Sequence, residues 1–147
     1  MFKKILLAYD GSKGADEALQ KATEMAKLSG AALHVLTVYR HHSILEASLS
    51  MVRGGDEGSG NLDDAMRAAS RDAAEYAKQR ATDLGAPEVY AFIKGGQTAR
   101  TIAAFAKDHD CDLIVIGSRG LGAAETYMLG SVSHKVTSIM TIPVLVV

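Results

Sequence analysis

Apolar and polar residues alternate along the chain with two periods. Ile5 to Tyr9 is continuously apolar and ends at Asp10-Gly11-Ser12, which reads as a strand buried on both faces that meets a helix start, with Ser12 as N-cap. Ala15, Ala18, Leu19, Ala22, Met25 and Ala26 then recur at helical spacing, Asp16, Glu17, Lys21 and Lys27 decorate the opposite face, and Gly30 stops the helix. Leu33 to Tyr39, rich in β-branched residues, is a second strand. Strand, helix and strand in so few residues imply parallel pairing with a right-handed crossover.

Between 40 and 60 the pattern breaks. Ile44, Leu45, Leu49 and Val52 suggest a short amphipathic helix, and the run Arg53 to Gly60 is too glycine-rich to pack. It is expected to be mobile, on the rim beyond the second strand. A long helix follows from Leu62 to Leu84, with Leu62, Ala65, Met66, Ala69, Ala73, Tyr76, Ala77 and Leu84 on one face and Gly85 as its stop. Val89 to Ile93 is a third strand, and Gly95-Gly96 turns the chain into a helix over Thr98 to Asp110 whose Ile102, Phe105 and Ala106 face inward. The apolar run Leu113 to Ile116 is a fourth strand, Gly130-Ser131 opens a further helix, and Ile142 to Val147 closes the pattern as a fifth strand. This order describes an open, doubly wound α/β domain of Rossmann-like type, with five parallel strands and helices on both faces. Such sheets bind ligands outside the carboxyl ends of their strands, and Asp10 and Gly117 end two of them.

Length and charge narrow the classes. The 147 residues suit one domain, 1–147, able to bury about 70% of its unfolded surface. A net charge of −1 from 16 basic and 17 acidic residues leaves no electrostatic footprint for nucleic acid or an anionic membrane. The single cysteine, Cys111, precedes a buried strand and reads as a packing residue. The first apolar run is too short for a signal-peptide core or a membrane span, so a soluble, cytoplasmic protein is expected.

Candidate chemistry gathers after the fourth strand. Gly117 and Gly120 let the backbone turn and approach a ligand, and Gly130, Ser131, Val132 and Ser133 follow at a helix start. Uncovered N–H groups there form a cradle for anionic oxygens, of which phosphate is the natural tenant. Arg119 is the obvious countercharge, though on its residue type alone it reads also as a solvated loop arginine, and Glu125 would oppose phosphate if it pointed inward. Asp10 is a carboxylate at the mouth of the expected crevice; on its residues alone it reads also as helix capping or turn chemistry. The P-loop pattern Gly-x-x-x-x-Gly-Lys-Ser/Thr is absent, and Gly120-Leu121-Gly122-Ala123-Ala124-Glu125 lacks the third glycine of a dinucleotide fingerprint. His41 and His42 are adjacent and His34, His109 and His134 are scattered, so no zinc spacing occurs, and His34 reads as a half-buried structural residue. No serine has a nucleophile-elbow context and no paired carboxylates stand near the loop. A binding module fits better than an enzyme.

The set Gly117, Gly120, Gly130, Ser131 in the spacing Gly-x2-Gly-x9-Gly-Ser resembles the nucleotide signature of the universal stress protein family, ATP-binding type. Ile5 to Ser12 resembles that family's first strand and acidic turn, and Ile142 to Val147 its closing strand, so the likeness covers nearly the whole chain and is weakest over 40 to 60. The resemblance implies strand order 3-2-1-4-5 and a site for ATP, or AMP or ADP, with Mg2+. It places the backbone of Val38 against the adenine edge and Ala8 and Ile116 around the base. Asp10 would then meet the ribose hydroxyls or a divalent ion, and Gly117, Gly120, Gly130, Ser131, Val132 and Ser133 the phosphates, the serines through their hydroxyls. It further implies a stress-response or regulatory homodimer, paired through the edge strand at Val144, Leu145, Val146 and Val147, that signals to a protein partner such as a membrane transporter. A nucleotide-free dimeric interaction protein and a slow ATPase are the alternatives.

Overall fold

Among the described residues, five strands and four helices alternate. In the computed structural model, which describes residues 1–40, 59–119 and 129–147, they are β1 (Lys4–Ala8), α1 (Lys13–Ser29), β2 (Ala32–Tyr39), α2 (Ser59–Asp83), β3 (Glu88–Gly95), α3 (Thr98–Asp108), β4 (Leu113–Ile116), α4 (Ser131–Ile139) and β5 (Val144–Val146). The short helix expected over 44–52, and the mobility expected for most of 40–60, fall on residues outside this description. The last two residues of the glycine-rich run, Ser59 and Gly60, belong to the first turn of α2.

All pairings are parallel and the sheet order is β3-β2-β1-β4-β5, an α/β Rossmann-like arrangement with helices on both faces. Residues of β1 alternate between the two faces because strand side chains do. Ile5 and Leu7 enter a cluster with Ala15, Ala18, Leu19, Ala22 and Ala26 of α1 and Ala77 and Ala81 of α2. Leu6 enters the opposite cluster with Ala99, Ile102, Phe105 and Ala106 of α3 and Val136 of α4. These β1 residues are fully buried, and truncating one of the leucines to Ala would cost about 2–5 kcal/mol. Helix ends behave as the sequence implies. The Ser12 hydroxyl accepts from the Ala15 N–H at 3.1 Å, and Gly30 closes α1 in the left-handed conformation.

The long helix α2 departs from the expected face. Ala77 is buried, but so are Ala74 and Ala81, while Leu62 and Tyr76 are 36% and 55% exposed and Ala65 and Ala69 are exposed. Only the C-terminal half of α2 covers the sheet. Met66, Ala69 and Ser70 of the other half line the cleft at the strand ends instead.

Candidate functional site

The carboxyl ends of β1, β2 and β4 open into a cleft of about 720 Å³, the size of a small-molecule site. Strand order reverses at β1, with β2 and β3 on one side and β4 and β5 on the other. The connections leaving β1 and β4 therefore diverge, and a crevice remains between them.

The lining runs in a row along the sheet. Leu36, Thr37, Val38 and Tyr39 come from β2, Ala8, Tyr9 and Asp10 from the end of β1, and Ile116, Gly117 and Arg119 from the end of β4, with Gly130, Ser131, Val132 and Ser133 beside them at the start of α4. With strands spaced ~4.8 Å apart, the ends of β2 and β4 lie roughly 10 Å from each other. Met66, Ala69, Ser70 and Ala73 of α2 form one wall, and Thr98 and Ile102 of α3 contribute to the other. The ten ligand-contact candidates Ala8, Asp10, Val38, Ile116, Gly117, Arg119, Gly130, Ser131, Val132 and Ser133 are thus brought to one cleft. Gly120 and Glu125 lie outside the described residues.

At the start of α4, Gly130 is the N-cap, with φ −63, ψ 162 and no side-chain cap bond. The first bond within the helix runs from the His134 N–H to the Gly130 carbonyl at 2.9 Å. The N–H groups of Ser131, Val132 and Ser133 therefore have no partner inside the helix, and the positive end of its dipole lies at the cleft. An anionic oxygen is the matching ligand. Ser133 uses its side chain differently from the expectation. Its buried hydroxyl lies 2.8 Å from the Ser118 carbonyl and 3.1 Å from that of Gly130, and donates to the nearer. The Gly130 N–H donates to the same Ser118 carbonyl at 2.6 Å. These bonds fasten the two ends of the 118–130 connection, and the N–H of Ser133 is the donor it has left for the cleft.

Asp10 is exposed at the mouth, and its Oδ1 accepts from the Ser12 N–H at 2.9 Å. The carboxylate is thereby held beside the N-terminus of α1. Tyr9 is 4% exposed, and its hydroxyl donates to Asp16 Oδ1 at 2.6 Å. Burial, then the bond and charge of Asp16, hold its ionisation well above the ordinary tyrosine value.

Gly117 is needed for a reason the sequence did not reveal. A Cβ there would meet the Gly14 carbonyl carbon and oxygen at 2.9 Å, and a Cβ on Gly14 would meet the Arg119 carbonyl oxygen at 2.6 Å. The first turn of α1 and the end of β4 touch backbone to backbone, which sets the width of the crevice at the switch point.

The sequence model of the universal stress protein family matches residues 1–147. The chain belongs to the universal stress protein family. It is 37% identical over 150 aligned residues to the universal stress protein YxiE of Bacillus subtilis, covering 100% of this chain and 99% of that one. Among solved structures, the universal stress protein UspA from Lactobacillus plantarum superposes with a TM-score of 0.84 at 28% identity, covering 99% of this chain and 97% of that one. A universal stress protein from Archaeoglobus fulgidus in complex with dAMP shares the fold, with a TM-score of 0.67 at 21% identity and coverage of 99% and 97%. In this universal stress protein the sequence reading missed Gly14, the α2 wall and Thr37. Gly14 carries no motif, and its role depends on a contact with a residue distant in sequence. An apolar helical face looks the same over a sheet as over a cleft. Thr37 obeys the strand period and stands out only through its burial.

Proposed function

We propose that the cleft binds an adenine nucleotide, ATP or its AMP and ADP relatives, and that this family member works as a binding module whose occupancy is read by a protein partner. The observation that carries the reading is the set of chemistries that the ends of β2, β1 and β4 and the start of α4 gather in one cleft. Apolar Val38, Ala8 and Ile116 suit a base, the Asp10 carboxylate suits ribose hydroxyls or a Mg2+ ion on the phosphates, and the start of α4 with Arg119 suits the phosphates themselves. A protein of the same fold was solved with dAMP, which supports an adenine nucleotide as the ligand class. A bound Mg2+ would neutralise phosphate charge; Asp10 is the residue that would hold it.

The homodimer belongs to the same proposal. β5 is an edge strand of the sheet, and Val144 and Val146 on one face and Leu145 and Val147 on the other pack only partly against the two cores. A second copy of β5 would pair that edge and cover those residues.

Thermal unfolding tests the nucleotide reading. Saturation at a hundred times the dissociation constant contributes about 2.7 kcal/mol, or roughly 5–10 °C for a domain of this size. ATP with Mg2+ should give that shift and GTP much less. An unchanged midpoint at millimolar ATP would overturn the proposal.

A further inference from the structure

Thr37 is 4% exposed, and its hydroxyl oxygen has no hydrogen-bond partner. Native proteins rarely keep a buried hydroxyl in that state, because it loses its bonds to water without replacement. Yet Thr37 lines the cleft. Leu36 and Val38 on either side of it pack into the α3/α4 cluster and Val35 into the α1/α2 cluster, so strand alternation turns Thr37 toward α1 and α2. There the cleft wall is formed by Met66, Ala69, Ser70 and Ala73 of α2 with the ring of Tyr9, and the Tyr9 hydroxyl is already bonded to Asp16. In this lobe, walled by three apolar α2 side chains and Ser70, the Thr37 hydroxyl is an open hydrogen-bonding group.

Its place along the sheet selects what it recognises. β2 is separated from β4 by β1, so Thr37 lies about two strand spacings, roughly 10 Å, from the anion cradle at the start of α4. A neutral hydroxyl is both donor and acceptor and carries no charge to attract phosphate. We propose that Thr37 is a specificity-determining contact for the uncharged nucleoside end of the ligand, bonding a ring nitrogen, exocyclic amine or sugar hydroxyl that reaches the α2 side of the cleft. This rests on the nucleotide reading above and adds to it a residue and a second face of the sheet.

Thr37→Val keeps the side-chain shape and removes the hydroxyl. Calorimetric titration with adenosine and with ATP, on the intact protein, should show Thr37→Val weakening both by a similar factor, about three- to tenfold. The ligand-free variant should melt at the same temperature as the parent or higher, because an unpaired buried hydroxyl has been removed. Gly130→Val, at the other end of the cleft, should weaken ATP much more than adenosine. Unchanged affinity of Thr37→Val for both ligands would overturn the inference while leaving ATP binding by the parent protein intact. A lower melting point of the ligand-free variant would overturn it too, since the hydroxyl would then serve the fold. Failure of the parent protein to bind either ligand would remove the nucleotide reading and this inference together.

Discussion

Single residues at the crevice carry two kinds of constraint, and substitutions separate them. Gly14 and Gly117 leave room for one backbone against another, so Gly14→Ala and Gly117→Ala should each lower stability by about 1–3 kcal/mol as overpacking does. Chemical denaturation measures this, and wild-type stability in either variant would contradict the close approach. Gly130 differs, because its φ and ψ suit any residue and its cap makes no side-chain bond. Valine there should spare the fold and obstruct the cradle. His34 shows a third kind of constraint, a purely structural one. It is 6% exposed with its Nδ1 unpartnered, and its ring stacks on Phe92 with centroids 5.5 Å apart, near Tyr90, Phe105 and His109. Burial, then the charge of Lys4 and the neighbouring His109, depress its pKa below the ordinary 6.5, with Glu88 opposing. The unfolded chain therefore takes up this proton first as pH falls, so stability is full above about 6.5 and declines below it. Melting curves at pH 7.5 and 5 should show that decline, and His34→Phe should reduce it. An equal decline in the variant would assign it elsewhere.

At the scale of elements, legibility followed the strength of the local pattern. Strands such as Leu113–Ile116 and the face of α1 were readable because apolar residues there fall in one period and are bounded by a cap or a glycine. α2 was readable as a helix, but alanines surround much of it, and periodicity could not tell which ones meet the sheet. The cradle was legible because glycine and serine at a helix start leave N–H groups open. The Ser133 hydroxyl was not, since its partner Ser118 lies 15 residues away in sequence and carries no spacing signal. Ser118's own N–H donates to the Val147 carbonyl at 2.7 Å, so β5 is tied to this same loop. β5 also yields a test of the dimer. Its register with β4 and the bond from Val147 N–H to the Ile116 carbonyl turn the backbone groups of Val144 and Val146 outward. Val146→Pro should thus break pairing between copies without breaking the β4–β5 ladder. Sedimentation should give a dimer for the parent chain and a monomer for the variant. A monomeric parent at tens of micromolar would remove the homodimer.

For the whole molecule, fold and site have one origin. The reversal of strand order at β1 places an apolar strand end, a carboxylate and a helix N-terminus in a line, and that line suits a nucleotide. Among the described residues no helix is long and apolar enough to cross a membrane. The family and its sheet order were readable because the motif residues recur at wide spacing along nearly the whole chain; the identity of any protein partner was not, because recognition surfaces leave no fixed spacing. Calorimetric titration of the parent protein and Gly130→Val with ATP and Mg2+ tests the central claim most directly. One saturable site per chain in the parent, lost in a variant that melts normally, is the predicted result. No saturable heat from the parent at millimolar ATP, or undiminished affinity in the folded variant, would contradict it.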